Sequence, residues 1–262
     1  MPFVLISIFV FILGTIFGSF LNVCIHRFPR DESLAWPGSK CPTCQKPIVW
    51  YDNIPILSFF ILGGQCRNCQ VKISSRYWVV ETVTGAVYLW IWFHYGAVVY
   101  SIIAAILFSL LLVATVVDLE HEIIPDEISL GGLVCGLVLS GLFPSLHHEL
   151  VWWRSLLQSF IGIVVGGGVI YLTGALGNMI FRKDSMGGGD VKLLAMIGSF
   201  LGWQKVMLVF FFAPVLALPF GLFLKFVKKK EIIPFGPFLS LAGWLIFLWG
   251  DPLITWYLGR MF

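Results

Sequence analysis

Six stretches of this chain run for 19 residues or more without Asp, Glu, Lys or Arg: residues 2–26, 82–117, 128–148, 155–181, 206–224 and 232–250. A helix that crosses a bilayer needs about 20 consecutive apolar residues. In lipid only helices and closed barrels satisfy their own backbone hydrogen bonds, so stretches this long restrict the chain to a helical membrane bundle. The composition agrees: 58% of the residues are hydrophobic and 12% charged, whereas a soluble domain is about 25% charged. Disordered, collagen-like and secreted disulfide-rich classes are excluded. A net charge of +3 is too small to imply a nucleic-acid partner.

Residues 82–117 are too many for one crossing, and His94-Tyr95-Gly96 supplies a natural turn that divides them. A further short apolar run, Leu193 to Gln204, lies between Asp190 and Lys205. With it the sequence predicts an all-α polytopic membrane protein of about eight transmembrane helices. The first stretch has no basic start and no small-x-small cleavage site, so it reads as a retained helix and not a cleaved signal. Eight crossings put residues 27–77, 118–127, 182–192 and 225–231 on one side, with 14 of the 17 basic residues. Arg154, Lys205 and Arg260 fall on the other. The positive-inside rule makes the first set cytoplasmic and both termini external. The expected organisation is an anchor helix (1–26), a polar cytoplasmic insert (27–77) and a seven-helix body (78–262).

The insert holds Cys41-Pro-Thr-Cys44 and, after 21 residues, Cys66-Arg-Asn-Cys69. Each C-x-x-C pair offers two thiolates to one ion, and two pairs complete a tetrahedral four-sulfur shell, so the spacing points to zinc. Two disulfides are the alternative; they need an oxidising compartment, and the charge bias places this segment in the cytoplasm. With all four positions taken by sulfur the metal is structural, and a segment of this size gains folding energy from it. Cys24 and Cys135, inside apolar stretches, read as small buried hydrophobes.

Ionisable groups at membrane depth are functional candidates. Asp118 closes the third span in Thr115-Val-Val-Asp118, and Asp190 closes Met186-Gly187-Gly188-Gly189-Asp190 as the short sixth span begins. Two adjacent carboxyls share a proton, so one can activate water while the other hydrogen-bonds a peptide carbonyl, the logic of an aspartic protease. Gly187, Gly188 and Gly189 remove side chains where an extended substrate backbone would approach. The plainer reading of Asp190 is a cap for the following helix. Asp126 after Pro125 reads as a cap or first-turn acid, and Glu81 as a paired structural charge or a partner for a substrate ammonium group. Gly166-Gly167-Gly168 reads as a close helix contact.

With these residues in place the sequence resembles the bifunctional type IV prepilin peptidases, of the GxGD class of intramembrane aspartic proteases. The resemblance rests on Gly18-Ser-Phe-Leu-Asn22 running into Ile25-His-Arg-Phe-Pro29, the four cysteines, Asp52-Asn-Ile-Pro55, Ile73-Ser-Ser-Arg-Tyr77 with Glu81, Asp118 through Ile124-Pro125-Asp126, and Gly187-Gly-Gly-Asp190-Val-Lys-Leu-Leu194. The chain departs from the family at Gln65, where a basic residue is common, at Trp78, where proline is common, and at Asp52, where glutamate is usual. The resemblance implies a peptidase of the bacterial inner membrane with catalytic Asp118 and Asp190 in a body spanning 78–262. It also implies a methyltransferase-associated zinc insert. The expected activity is cleavage of a basic leader from type IV prepilins or type II secretion pseudopilins, then methylation of the new amino group from S-adenosylmethionine. The implied partners are those substrates, the bilayer and a pilus or secretion assembly machinery. No G-x-G-x-x-G element marks a methyl-donor site, so donor residues are unassigned. The alternatives are a peptidase without methyl transfer, a proton- or cation-coupled transporter, and a zinc-stabilised scaffold.

Overall fold

The computed structural model describes residues 2–96, 98–181, 187–223 and 234–258. Its elements are α1 (Pro2–Arg27), α2 (Leu57–Ile61), α3 (Arg76–Tyr95), α4 (Val99–His121), α5 (Asp126–Leu142), α6 (Trp152–Phe181), α7 (Gly188–Phe223) and α8 (Gly236–Leu258), with short 3-10 turns between some of them. Among the described residues, five helical segments are long and apolar enough to cross a membrane: Phe3–Arg30, Val99–His121, Trp152–Ile180, Gly188–Gly221 and Gly236–Trp256. The chain is a multi-pass, all-helical membrane protein. It divides into two compact units between Ser109 and Leu110, within α4.

In the first unit α1 packs along α3 through small residues. A methyl group built on Gly14 would stand 2.8 Å from the Gly85 Cα, and one on Gly18 would stand 2.7 Å from the Glu81 Cα. One turn further on, Asn22 Nδ2 donates to the Tyr77 carbonyl at 3.0 Å. Each four-residue step along α1 therefore meets a four-residue step back along α3, and the helices run antiparallel with backbones touching. Close approach of this kind is how helices associate where lipid offers no hydrophobic drive. α3 ends where the turn is expected: Gly96 has φ +71° and its N–H donates to the Trp92 carbonyl at 2.9 Å. The insert begins at Arg27, a buried guanidinium that donates to the carbonyls of Ser33 (2.6 Å), Leu34 (3.1 Å) and Pro37.

The second unit is built around the first half of α7. Residues 193–200 are all buried, which is what a helix apolar on every face requires. α5 meets it where Gly132 lies against Met196 and Gly136 against Ser199 and Phe200; α8 meets it where Gly243 lies against Ile197. On α6, a methyl group on Gly166 would lie 2.6 Å from the Leu194 carbonyl oxygen and 3.0 Å from Val206 Cγ2. Twelve residues of straight helix would hold those two groups about 18 Å apart, so α7 doubles back on itself. The reversal is at Gly202, the one residue of α7 with non-helical angles (φ +76°, ψ +173°). A polar cluster closes this end of the unit: Asp251 accepts from Lys205 Nζ at 2.8 Å and lies 3.1 Å from His148 Nε2.

Several helix limits differ from the apolar stretches for local reasons. α5 stops at Leu142 because Phe143-Pro144 leads into a 3-10 turn over Pro144–His147. α8 continues through Asp251 to Leu258 because Lys205 pairs that carboxylate. The basic residues Arg182, Lys183, Lys225, Lys228 to Lys230 and Arg260, on which part of the sidedness argument rests, lie outside the described residues.

Candidate active site

Asp118 sits in the last turn of α4 and is 6% exposed. Its Oδ2 accepts a hydrogen bond from the Gly236 N–H, at the first residue of α8, at 2.9 Å. After α4 the chain turns at Glu122, which has φ +56° and whose N–H donates to the Asp118 carbonyl at 2.9 Å. Extended Pro125 then opens α5. Between them Ile124 wedges two parts of the site together, touching the Gly236 backbone from one side and Gly189 from the other.

Asp190 lies in the first turn of α7. Its N–H donates to the Gly187 carbonyl at 3.2 Å, and its carboxylate accepts from the Gly187 N–H. That pairing is the acidic half of a capping box, so Asp190 does cap its helix. The same side chain also lies close enough to Asp118 for the two charges to interact. The plain reading, a cap for the following helix, is met by the bonds with Gly187. The three glycines divide the labour: Gly189 is pressed against Ile124, Gly187 borders the Asp190 carboxylate, and among the described residues Gly188 has nothing within 4 Å of where a side chain would begin. Asp126 is a first-turn acid of α5 and pairs with Lys192 Nζ at 2.6 Å, tying α5 to α7 beside Asp190.

The first unit holds the four cysteines. Their sulfurs all lie within 4.8 Å of one another, and Cys41 Sγ and Cys69 Sγ are 3.7 Å apart. A tetrahedral shell at the usual zinc–sulfur distance of about 2.3 Å sets its sulfurs about 3.8 Å apart, so the cluster could hold zinc. All six cysteines are free thiols. The two knuckles repeat one backbone design. Lys40 bridges Pro47 and Gln65 bridges Lys72. The N–H of Cys41 donates to Lys46 and that of Cys66 to Val71, while the left-handed residues Gln45 and Gln70 turn each loop. The Cys44 and Thr43 N–H groups draw the Cys41 thiol down to about 6, toward the thiolate a metal needs. Arg67 makes a bidentate pair with Asp52 at 2.6 and 2.7 Å and stacks over Tyr51, fixing the second knuckle to the turn at Trp50–Asn53. Hydrogen bonding to Arg67 holds the Asp52 carboxyl below its usual range.

Glu81 makes a contact to the backbone. It is buried, and its Oε2 accepts the Ile56 N–H at 2.7 Å. Gly166 is a helix contact, as expected, while Gly168 meets nothing among the described residues. Cys24 is buried and Cys135 half-buried.

The chain matches two family models, the Bacterial Peptidase A24 N-terminal domain over residues 12–95 and the Type IV leader peptidase family over residues 105–222. It is 34% identical to the prepilin leader peptidase/N-methyltransferase of Stutzerimonas stutzeri, with 94% of this chain and 92% of that protein aligned. The chain belongs to the type IV leader peptidase family. Proteins of the same description from Pseudomonas aeruginosa (32% identical, 98% of this chain, 94% of that one) and Neisseria gonorrhoeae (31%, 94% and 93%) are aligned over nearly their whole length. No solved structure matches significantly. In this leader peptidase family member the leader-peptidase match carries Asp118 and Asp190, and the N-terminal match carries all four cysteines. Gly236, which touches Asp118, lies beyond both matches, and sequence reasoning missed it. The signal available was a Phe235-Gly-Pro237 turn opening an apolar span.

Proposed function

We propose that this protein cleaves the basic leader from type IV prepilins or pseudopilins and then methylates the exposed amino terminus. The observation that carries the reading is that Asp118 and Asp190, 72 residues apart in sequence, lie near enough for their charges to interact, with Ile124 packed beside both Gly189 and Gly236. In the cleavage step one carboxylate takes a proton from water as the oxygen attacks the scissile carbonyl carbon, and the other, protonated, hydrogen-bonds the carbonyl oxygen. Collapse of the tetrahedral adduct breaks the C–N bond, and the proton passes to the departing amine. Gly236 and Gly187 each donate one N–H, which fixes the two carboxyl groups and leaves their other oxygens for water and substrate. Among the described residues nothing crowds Gly188, close to Asp190, and an extended substrate could pair with the backbone there.

Cys41, Cys44, Cys66 and Cys69 hold a structural zinc ion in this reading. The ion would cross-link the two knuckles of a segment too small for a large core. S-adenosylmethionine is a co-substrate whose binding residues are unassigned. Among the described residues five helices are long and apolar enough to cross; reading the reversal at Gly202 as a division of α7 into two crossings, and counting α3 and α5 as well, would bring the number to eight. The distribution of basic residues then favours the cytoplasmic side of the bacterial inner membrane for the cysteine insert and both aspartates, where a basic leader would be met by acids such as Glu120, Glu122 and Glu127. The test is the mass of a prepilin amino-terminal fragment after incubation with membranes containing this protein and S-adenosylmethionine. Loss of the leader plus one methyl group is expected; loss of the leader alone would remove the methyltransferase half, and an uncut substrate would remove both.

A further inference from the structure

α2 has a helical stripe that the described residues leave largely exposed. Leu57, Phe60 and Ile61 occupy positions i, i+3 and i+4 and are 58%, 62% and 76% exposed, while Ser58 on the opposite face is buried and donates to the Tyr51 carbonyl at 3.1 Å. Three large apolar side chains on one face of a water-bathed loop would be a liability.

The start of α2 is fixed to α3 by the bond from Ile56 N–H to Glu81 Oε2, and Phe59 and Phe60 pack on Trp78 with ring centres 6.3 and 5.8 Å apart. The antiparallel register of α1 and α3 sets the depth of these contacts, since Glu81 is level with Gly18 and Tyr77 with Asn22. Gly18 lies nine residues before the end of α1, about 13 Å at the helical rise. α2 is thus drawn down beside the apolar part of α1, a segment whose outward residues Phe17 and Phe20 are themselves 45% and 49% exposed. Arg76, Tyr77 and Trp78 open α3 at the same level, a basic and aromatic group of the kind found at membrane–water boundaries. The insert as a whole has seven basic and three acidic residues between Arg27 and Tyr77, which suits a surface of anionic headgroups.

We infer that α2 is an interfacial foot: Leu57, Phe60 and Ile61 sit in the headgroup–acyl boundary of the bilayer and seat the cysteine-bearing insert on the membrane surface. The occupant of the stripe is lipid. A foot of this kind sets the height of both knuckles relative to α1 and α3, and it uses buried apolar area with electrostatic attraction in the way amphipathic surface helices do.

The test uses the full chain in nanodiscs of phosphatidylcholine and phosphatidylglycerol, with the photocrosslinker p-benzoylphenylalanine at Phe60 or, in a second variant, at Ile61. Phe9, 63% exposed on α1, is the lipid-facing reference, and exposed Asn68 at the tip of the second knuckle is the aqueous one. Lipid adducts, read by mass, are expected at Phe60 and Ile61 at a yield like that at Phe9 and absent at Asn68. Yields at Phe60 and Ile61 no higher than at Asn68, or adducts that form only on an added prepilin, would overturn the inference. Leader cleavage is measured on the same discs: cleavage without lipid adducts removes the foot alone, whereas adducts without cleavage leave the foot and remove the proposed activity.

Discussion

A methyl group at position 236 would stand 2.6 Å from Asp118 Oδ2 and 3.2 Å from Ile124 Cδ1. Gly236→Ala should therefore push the carboxyl group off its N–H donor while leaving the fold intact. A displacement near 1 Å costs about a hundredfold in rate, so kcat for leader cleavage should drop by about that factor with KM little changed. Asp52 gives a pH signature in the other unit. Its folded carboxyl titrates below the usual range because of Arg67, so the pairing contributes stability above the unfolded value of about 3.9 and loses it as pH falls through the folded one. In thermal melts of the insert, the deficit of Asp52→Asn should be full at pH 7 and shrink below about pH 4. Both catalytic candidates were legible in the sequence, because an acid at the end of an apolar span is costly to hold at membrane depth and stands out against its surroundings. Gly236 was not, since its role exists only once α8 reaches Asp118 across 118 residues.

Among the elements, the cysteine knuckles were readable from spacing alone, and their repeated backbone turns bear the spacing out. Removing one ligand, as in Cys66→Ser, or stripping the metal with a chelator should leave α1 and α3 packed through Gly14, Gly18 and Gly85 while the loops around both knuckles lose order. Limited proteolysis should then cut between residues 38 and 72 and spare the helices; resistance equal to wild type would argue against a metal at this site. Helix ends were less legible. Apolarity marks what can lie in lipid, but it does not mark where a proline, as at Pro144, or a paired charge, as at Asp251, moves the boundary. The direction of α7 was legible only in part. A short apolar run before Lys205 marked a separate helix, and the reason the chain can turn so sharply after it is the positive φ of one glycine, Gly202.

For the whole molecule, charge-free stretches fixed the class and a handful of motifs fixed the family, yet the arrangement that matters chemically joins groups far apart in the chain. α7 is the hub: its first half is buried among α5, α6 and α8, and its first turn carries Asp190. Two residues that act as one unit lose nearly everything when either is removed, and removing both costs little more. The most direct test is single-turnover leader cleavage by Asp118→Asn, Asp190→Asn and the double variant, each checked for expression and for wild-type helical content. The account predicts that either single substitution abolishes cleavage and that the double variant is no worse than either. Cleavage near the wild-type rate by one of the single variants would contradict it.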